Sequence, residues 1–109
     1  MLNKAQIIGH ITHDLKKEYF NLNQEQIAKI NFQVAINYGK NKEQVQFIPC
    51  VAYRLQAENI CKYLHKGSKV YLEGKILVQK YTNNEGQNCI STKIMVQNVV
   101  FLDNKPVTT

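Results

Sequence analysis

Five stretches of the chain alternate apolar and polar residues with period two, the mark of strands that bury one face. They run approximately from Leu2 to Thr12, Ala28 to Asn37, Val45 to Tyr53, Lys69 to Lys80 and Cys89 to Leu102. In the second, Ala28, Ile30, Phe32, Val34 and Ile36 share one face, while Lys29, Asn31, Gln33 and Asn37 share the other. Between the third and fourth stretches the period changes. Ala57, Ile60, Cys61 and Leu64 recur at three- and four-residue steps ahead of Lys66 and Gly67, which predicts one short amphipathic helix with a glycine C-cap. Asn83-Asn84-Glu85-Gly86 has the composition of a hairpin turn, and the segments around Asn21 to Gln26 and Gly39 to Glu43 read as polar connections.

Five strands with a single helix between the third and fourth is the element order of an OB-fold, an all-β, five-stranded Greek-key barrel, although small barrels of other kinds share short strands. Gly9 and Gly74 interrupt strands 1 and 4. They suit the sharp coiling of a small barrel, the alternative being ordinary bulges in an open sheet. A chain of 109 residues builds one hydrophobic core, so a single domain is expected over residues 1–104, with 105–109 as a short end.

Charge narrows the class of partner. Fourteen Lys and Arg against eight Asp and Glu give a net charge of +6, an excess that favours polyanions through counterion release. Nucleic acid and an anionic membrane both qualify. The membrane fits poorly, because the chain has no stretch of about 18 apolar residues and no basic amphipathic helix. The start, MLNKAQIIGH, lacks the apolar core and cleavage site of a signal peptide.

Catalysis and metal binding find little support. Cys50, Cys61 and Cys89 are odd in number and form no C-x-x-C pair, and His10, His13 and His65 are scattered, so free thiols in a reducing compartment are expected, with no metal and no cofactor. The acids Asp14, Glu18, Glu25, Glu43, Glu58, Glu73, Glu85 and Asp103 show no recurring pair, and the glycines never cluster into a phosphate-cradling loop. The chain reads as a binding protein rather than an enzyme.

The third strand is the informative one. Ile48, Cys50 and Ala52 are small and apolar on one face, and Phe47 and Tyr53 stand on the other. On this strand alone, the rings suit the barrel interior as well as its surface. Their company favours the surface: Tyr53 precedes Arg54, Tyr81 follows Lys80, and Tyr38 ends strand 2 close to Lys40. Aromatic faces interleaved with cations are what a sequence-tolerant single-strand binder needs, since every base has a π-face and every nucleotide a phosphate.

Several segments then resemble one family in the right order. MLNKAQIIGHIT is similar to the first strand of bacterial single-stranded-DNA-binding proteins; QFIPCVAYRLQAENICKYLHKGSKVYLEGKI resembles their third strand, helix and fourth strand. KYTNNEGQ resembles the family's aromatic-tipped hairpin, and VQNVVFLD its closing strand. The resemblance implies base stacking at Phe47, Tyr53 and Tyr81, and backbone contacts from Lys4, Arg54 and Lys80. His10, Asn31, Tyr38, Tyr71 and Lys75 complete the candidate DNA-contacting set. It further implies a homotetramer, a dimer being the alternative, with strand pairing near Asn3 to Gly9, and a cytoplasmic, nucleoid-associated protein of DNA replication, recombination and repair.

The sequence departs from the family in places. Pro49 sits mid-strand where a cationic or polar residue is frequent, Leu77 and Gln79 replace frequent basic residues, and HDLKKEYF lacks a common proline. The chain ends at LDNKPVTT without the flexible acidic-tipped tail of relatives, so tail-dependent replication and repair partners are not expected. A tailless, dimeric, helicase-contacting relative of the primosomal replication protein N type is the alternative.

Overall fold

A computed structural model describes residues 1–37 and 45–102. Its elements are β1 (Ala5–Ile11), β2 (Glu18–Leu22), β3 (Glu25–Asn37), β4 (Val45–Tyr53), α1 (Arg54–Tyr63), β5 (Lys69–Thr82) and β6 (Asn88–Phe101). The sheet order is β1-β5-β6-β4-β3-β2, and an additional β1–β3 pairing closes five of the strands into a ring. The helix falls between the third and fourth strands of that ring, as the OB-fold pattern requires.

The period-two reading of β3 holds in three dimensions. Ala28, Ile30, Phe32 and Val34 are buried, and they meet Cys50 and Ala52 of β4, Val70 and Leu72 of β5, and Ile94 and Val96 of β6 in one core. Ala57, Ile60 and Leu64 bring the helix into the same core. Burying the larger of these apolar side chains, each contributing about 1.5–3 kcal/mol relative to exposure, is what drives the ring shut.

β2 was not expected from the sequence. It pairs with the first part of β3, from Glu18↔Lys29 to Leu22↔Glu25, across a two-residue turn in which Asn23 and Gln24 both take positive φ, at 50° and 69°. Both central residues being left-handed is the type I′ arrangement, whose twist matches a hairpin. The polar connection read around Asn21 to Gln26 is therefore this hairpin's tip.

Two glycines hold close backbone contacts. A side chain on Gly9 would collide with the Ala35 carbonyl at the β1–β3 seam, and one on Gly74 with the Met95 carbonyl. Gly74 lies at a bulge where Glu73 pairs with Asn98 but Gly74 pairs with Val96, leaving Gln97 extra. The bulge turns the Gln97 carbonyl toward α1, where it accepts a hydrogen bond from Gln56 Nε2 at 3.0 Å. The expected glycine C-cap is corrected: α1 ends at Tyr63 with Leu64 as its cap. Gly67, at φ 92°, instead serves the following turn, where its N–H donates to the Ile11 carbonyl at 2.8 Å.

Candidate nucleic-acid interface

Cross-strand register decides which side chains share a surface, because directly opposed residues point the same way. One row runs across four strands as Asn31, Val51, Met95 and Lys75. Its neighbours are Gln33 opposite Pro49, Ala35 opposite Phe47, Lys29 opposite Tyr53, Leu77 opposite Lys93, Gln79 opposite Ser91 and Tyr81 opposite Cys89. This outward face of β3, β4, the distal half of β5 and β6 carries three lysines, and the rows around Asn31, Gln33, Lys75 and Lys93 hold no carboxylate. At the β2 margin Glu18 stands directly opposite Lys29, and Glu25 continues the same side of β3. Lys29, Lys75 and Lys93 have no ion-pair partner among the described residues.

Aromatic rings lie at the margins of this face. Phe47 is 57% exposed, too open for a core ring. It stands in a row formed with His10 and Ala35, since His10 pairs with Ala35 across the ring's seam and Ala35 pairs with Phe47. The small Ala35 leaves the flank of the Phe47 ring uncovered. Tyr53 is half-buried, with the Lys29 ammonium 6.0 Å from its ring centre and Phe20 of β2 against its edge. Tyr81 is exposed near the tip of the β5–β6 hairpin. That tip is held by Asn83, whose Oδ1 accepts from the N–H groups of Glu85 and Gln87 at 3.0 and 2.9 Å.

Open depressions connect these stations. One of about 280 Å³ is lined by Glu18, Tyr19, Phe20, Lys29 and Tyr53. A second, of about 470 Å³, lies over Asn31, Gln33, Pro49 and Lys93. A third, of about 590 Å³, continues over Ser91, Lys93, Lys80 and Tyr81. Pro49 sits just before the short parallel β4–β6 pairing, which registers Cys50 and Val51. It lines the trough there without interrupting that pairing.

The remaining candidate residues are placed elsewhere or differently. Lys4 and Tyr71 join a separate cluster: the Tyr71 hydroxyl donates to Glu73 at 2.8 Å and accepts from Gln6, and Lys4 Nζ lies 3.8 Å from the same carboxylate. These contacts, led by the tyrosine, hold the Glu73 carboxyl below its ordinary value. Arg54 takes a left-handed φ of 56° where β4 turns into α1, and its guanidinium lies 3.7 Å from Glu25. Tyr38 lies outside the described residues.

Phe20, Lys29 and Lys93 were missed by sequence reasoning. Phe20 belongs to the unanticipated β2, and Lys29 and Lys93 acquire meaning only when register sets them on one face with Lys75. On the opposite side of β2, Tyr19 reaches the helix, donating to Glu58 at 3.2 Å, while Lys17 pairs with the same carboxylate at 2.7 Å. The lysine's hydrogen bond is the main reason that Glu58 titrates below its ordinary value.

A closed five-stranded ring, a helix between its third and fourth strands, and an aromatic-edged face with lysines unpaired among the described residues define an OB-fold protein of the oligonucleotide-binding kind. The model of the Single-strand binding protein family matches residues 2–102, and the chain belongs to that family. It is 59% identical to the single-stranded DNA-binding protein of Onion yellows phytoplasma, with 96% of this chain and 98% of the relative aligned. It is 36% identical to the protein of that name from Halalkalibacterium halodurans and 31% identical to Single-stranded DNA-binding protein A of Bacillus subtilis. The alignments take in 94% and 96% of this chain and 62% of each of those longer relatives. Family membership bears out the expected fold and the reading of a binding protein rather than an enzyme.

Proposed function

We propose that this chain binds single-stranded DNA without sequence specificity, laying it over the outward face of β3, β4, β5 and β6. The observation that carries the reading is the face on which Lys29, Lys75 and Lys93 have no ion-pair partner among the described residues, with Phe47, Tyr53 and Tyr81 at its margins. Stacking on exposed rings contributes about 1–3 kcal/mol per base and accepts any base. Lysines neutralise phosphates and read neither groove. The relatives' names agree with this ligand. In this reading the protein holds unpaired strands during replication, recombination and repair, in the cytoplasm with the nucleoid.

Self-association is the second part of the proposal. Ile8, Tyr71 and Val100 form a row across β1, β5 and β6, with Ile8 and Val100 52% and 46% exposed. An apolar row beside the Gln6–Tyr71–Glu73–Lys4 cluster is a surface suited to a second copy, and a homotetramer is the assembly we favour over a dimer.

Titration with fluorescent oligo-dT at several salt concentrations tests the ligand, and light scattering counts subunits. Binding to single strands well above that to a duplex of equal length is expected, with log affinity falling linearly in log salt. Equal affinity for the duplex refutes the ligand assignment. A mass below that of four 12.6 kDa chains refutes the tetramer.

A further inference from the structure

We infer that Lys93 is the phosphate anchor that carries a bound strand from the Phe47–Tyr53 side of the face to Tyr81; the assignment rests on the proposed single-strand binding. Lys93 lines both of two adjoining depressions, one bounded by Asn31 and Pro49 and the other by Lys80 and Tyr81. A strand that follows the trough between the aromatic stations therefore passes over its ammonium.

The charge there is neither spent nor freely solvated. Lys93 is half-buried, Leu77 stands directly opposite, and Ser91 and Met95 flank it on the same face. No carboxylate pairs with it among the described residues. A partly desolvated cation without a counter-charge attracts an anion more strongly than a fully exposed one, because less water screens it. Lys4 and Arg54 differ in this respect, each lying within 4 Å of a carboxylate, at 3.8 and 3.7 Å. A ligand phosphate competes with Glu73 and Glu25 at those positions and with no protein acid at Lys93.

The test is the salt dependence of oligo-dT and oligo-dC affinity for the wild-type chain, Lys93→Ala and Lys93→Met, with Lys66→Ala as control. Lys66 is exposed in the turn before β5, away from the trough. Removing one phosphate contact lowers the slope of log affinity against log salt by about 0.7. Both Lys93 variants should show this loss, equally for dT and dC, while Lys66→Ala keeps the wild-type slope. The methionine retains most of the aliphatic stem, so agreement between the two variants separates lost charge from lost packing. Salt-dependent wild-type binding with an unchanged slope in the Lys93 variants overturns the anchor alone. A wild-type chain without affinity for either oligonucleotide overturns the parent reading and the anchor with it.

Discussion

Phe20 meets Tyr53 edge-on, with ring centres 6.2 Å apart and ring planes at 80°. The edge of one ring thus holds the other in place, and such pairs are worth about 0.5–1.5 kcal/mol beyond their burial. Tyr53→Ala is expected to weaken oligo-dT binding by about 1–3 kcal/mol. Phe20→Ala should weaken it less, by freeing the tyrosine, and should add little once Tyr53 is gone. Fluorescence titration of the two single variants and the double variant checks this. Strict additivity would show that the rings act independently.

Phe47 separates binding from folding. A core Phe cut to Ala loses about 3–5 kcal/mol of stability, whereas a ring as open as Phe47 leaves the fold almost unchanged. Phe47→Ala should therefore lower DNA affinity by about 1–3 kcal/mol and hardly move the melting temperature. Ile30→Ala, at a wholly buried position, should do the reverse, costing about 2–5 kcal/mol of stability. A large thermal loss at Phe47 would return that ring to the interior.

Gly74 is predicted to be intolerant of even one methyl group. Its absent side chain makes room for the Met95 carbonyl at the β5–β6 bulge. Gly74→Ala should cost about 1–3 kcal/mol through forced backbone movement, read as a lower midpoint in urea. An unchanged midpoint would mean that the bulge can shift at no cost.

Acid weakens the contact between α1 and the segment leading into β2. Lys17 and Tyr19 hold Glu58 below its ordinary value near 4.5. A carboxylate depressed in the folded state stabilises the fold above its unfolded value, and that contribution is lost as pH falls through the folded value. The stability gap between wild type and Glu58→Gln should accordingly be present above pH 4.5, narrow below it and close in stronger acid. Melting curves across that range measure it; a gap that widens in acid contradicts the assignment.

Cys50 should be chemically silent while the chain is folded. It is 1% exposed, and burial pushes its thiol up to about 12. Alkylation at pH 8 followed by mass mapping should label the partly exposed Cys61 and Cys89 first, with Cys50 labelled only as the protein unfolds. Labelling of Cys50 at the rate of the other two would show that the barrel interior opens readily.

The alternation in β3 and β4 was legible because each strand has a dry and a wet side, and parity alone placed Phe47 and Tyr53 opposite Cys50 and Ala52. β2 was not. Tyr19 is used toward the helix and Phe20 toward Tyr53, so Glu18–Leu22 shows no alternation, and Asn23-Gln24 lacks the glycine that usually announces a hairpin. Lys93 was hidden for another reason. Its importance depends on which residues of β4 and β5 lie beside it, and the extra residue Gln97 shifts that register within a single uninterrupted strand. The ion pairs of Lys4 and Arg54 join distant parts of the chain and left no local trace.

The barrel closes between β1 and β3 through two registered residue pairs, His10 with Ala35 and Ile11 with Val34. So few ladder bonds make this seam, like the equally short β4–β6 pairing, a place for the barrel to breathe, and amide exchange should find a low-energy opening there. His10 belongs to one lip and Phe47 neighbours the other through Ala35. A polymer lying over both would act as a clasp, slowing exchange at Ala35 and Ile11 and turning a scaffold that flexes when empty into one that stiffens when loaded.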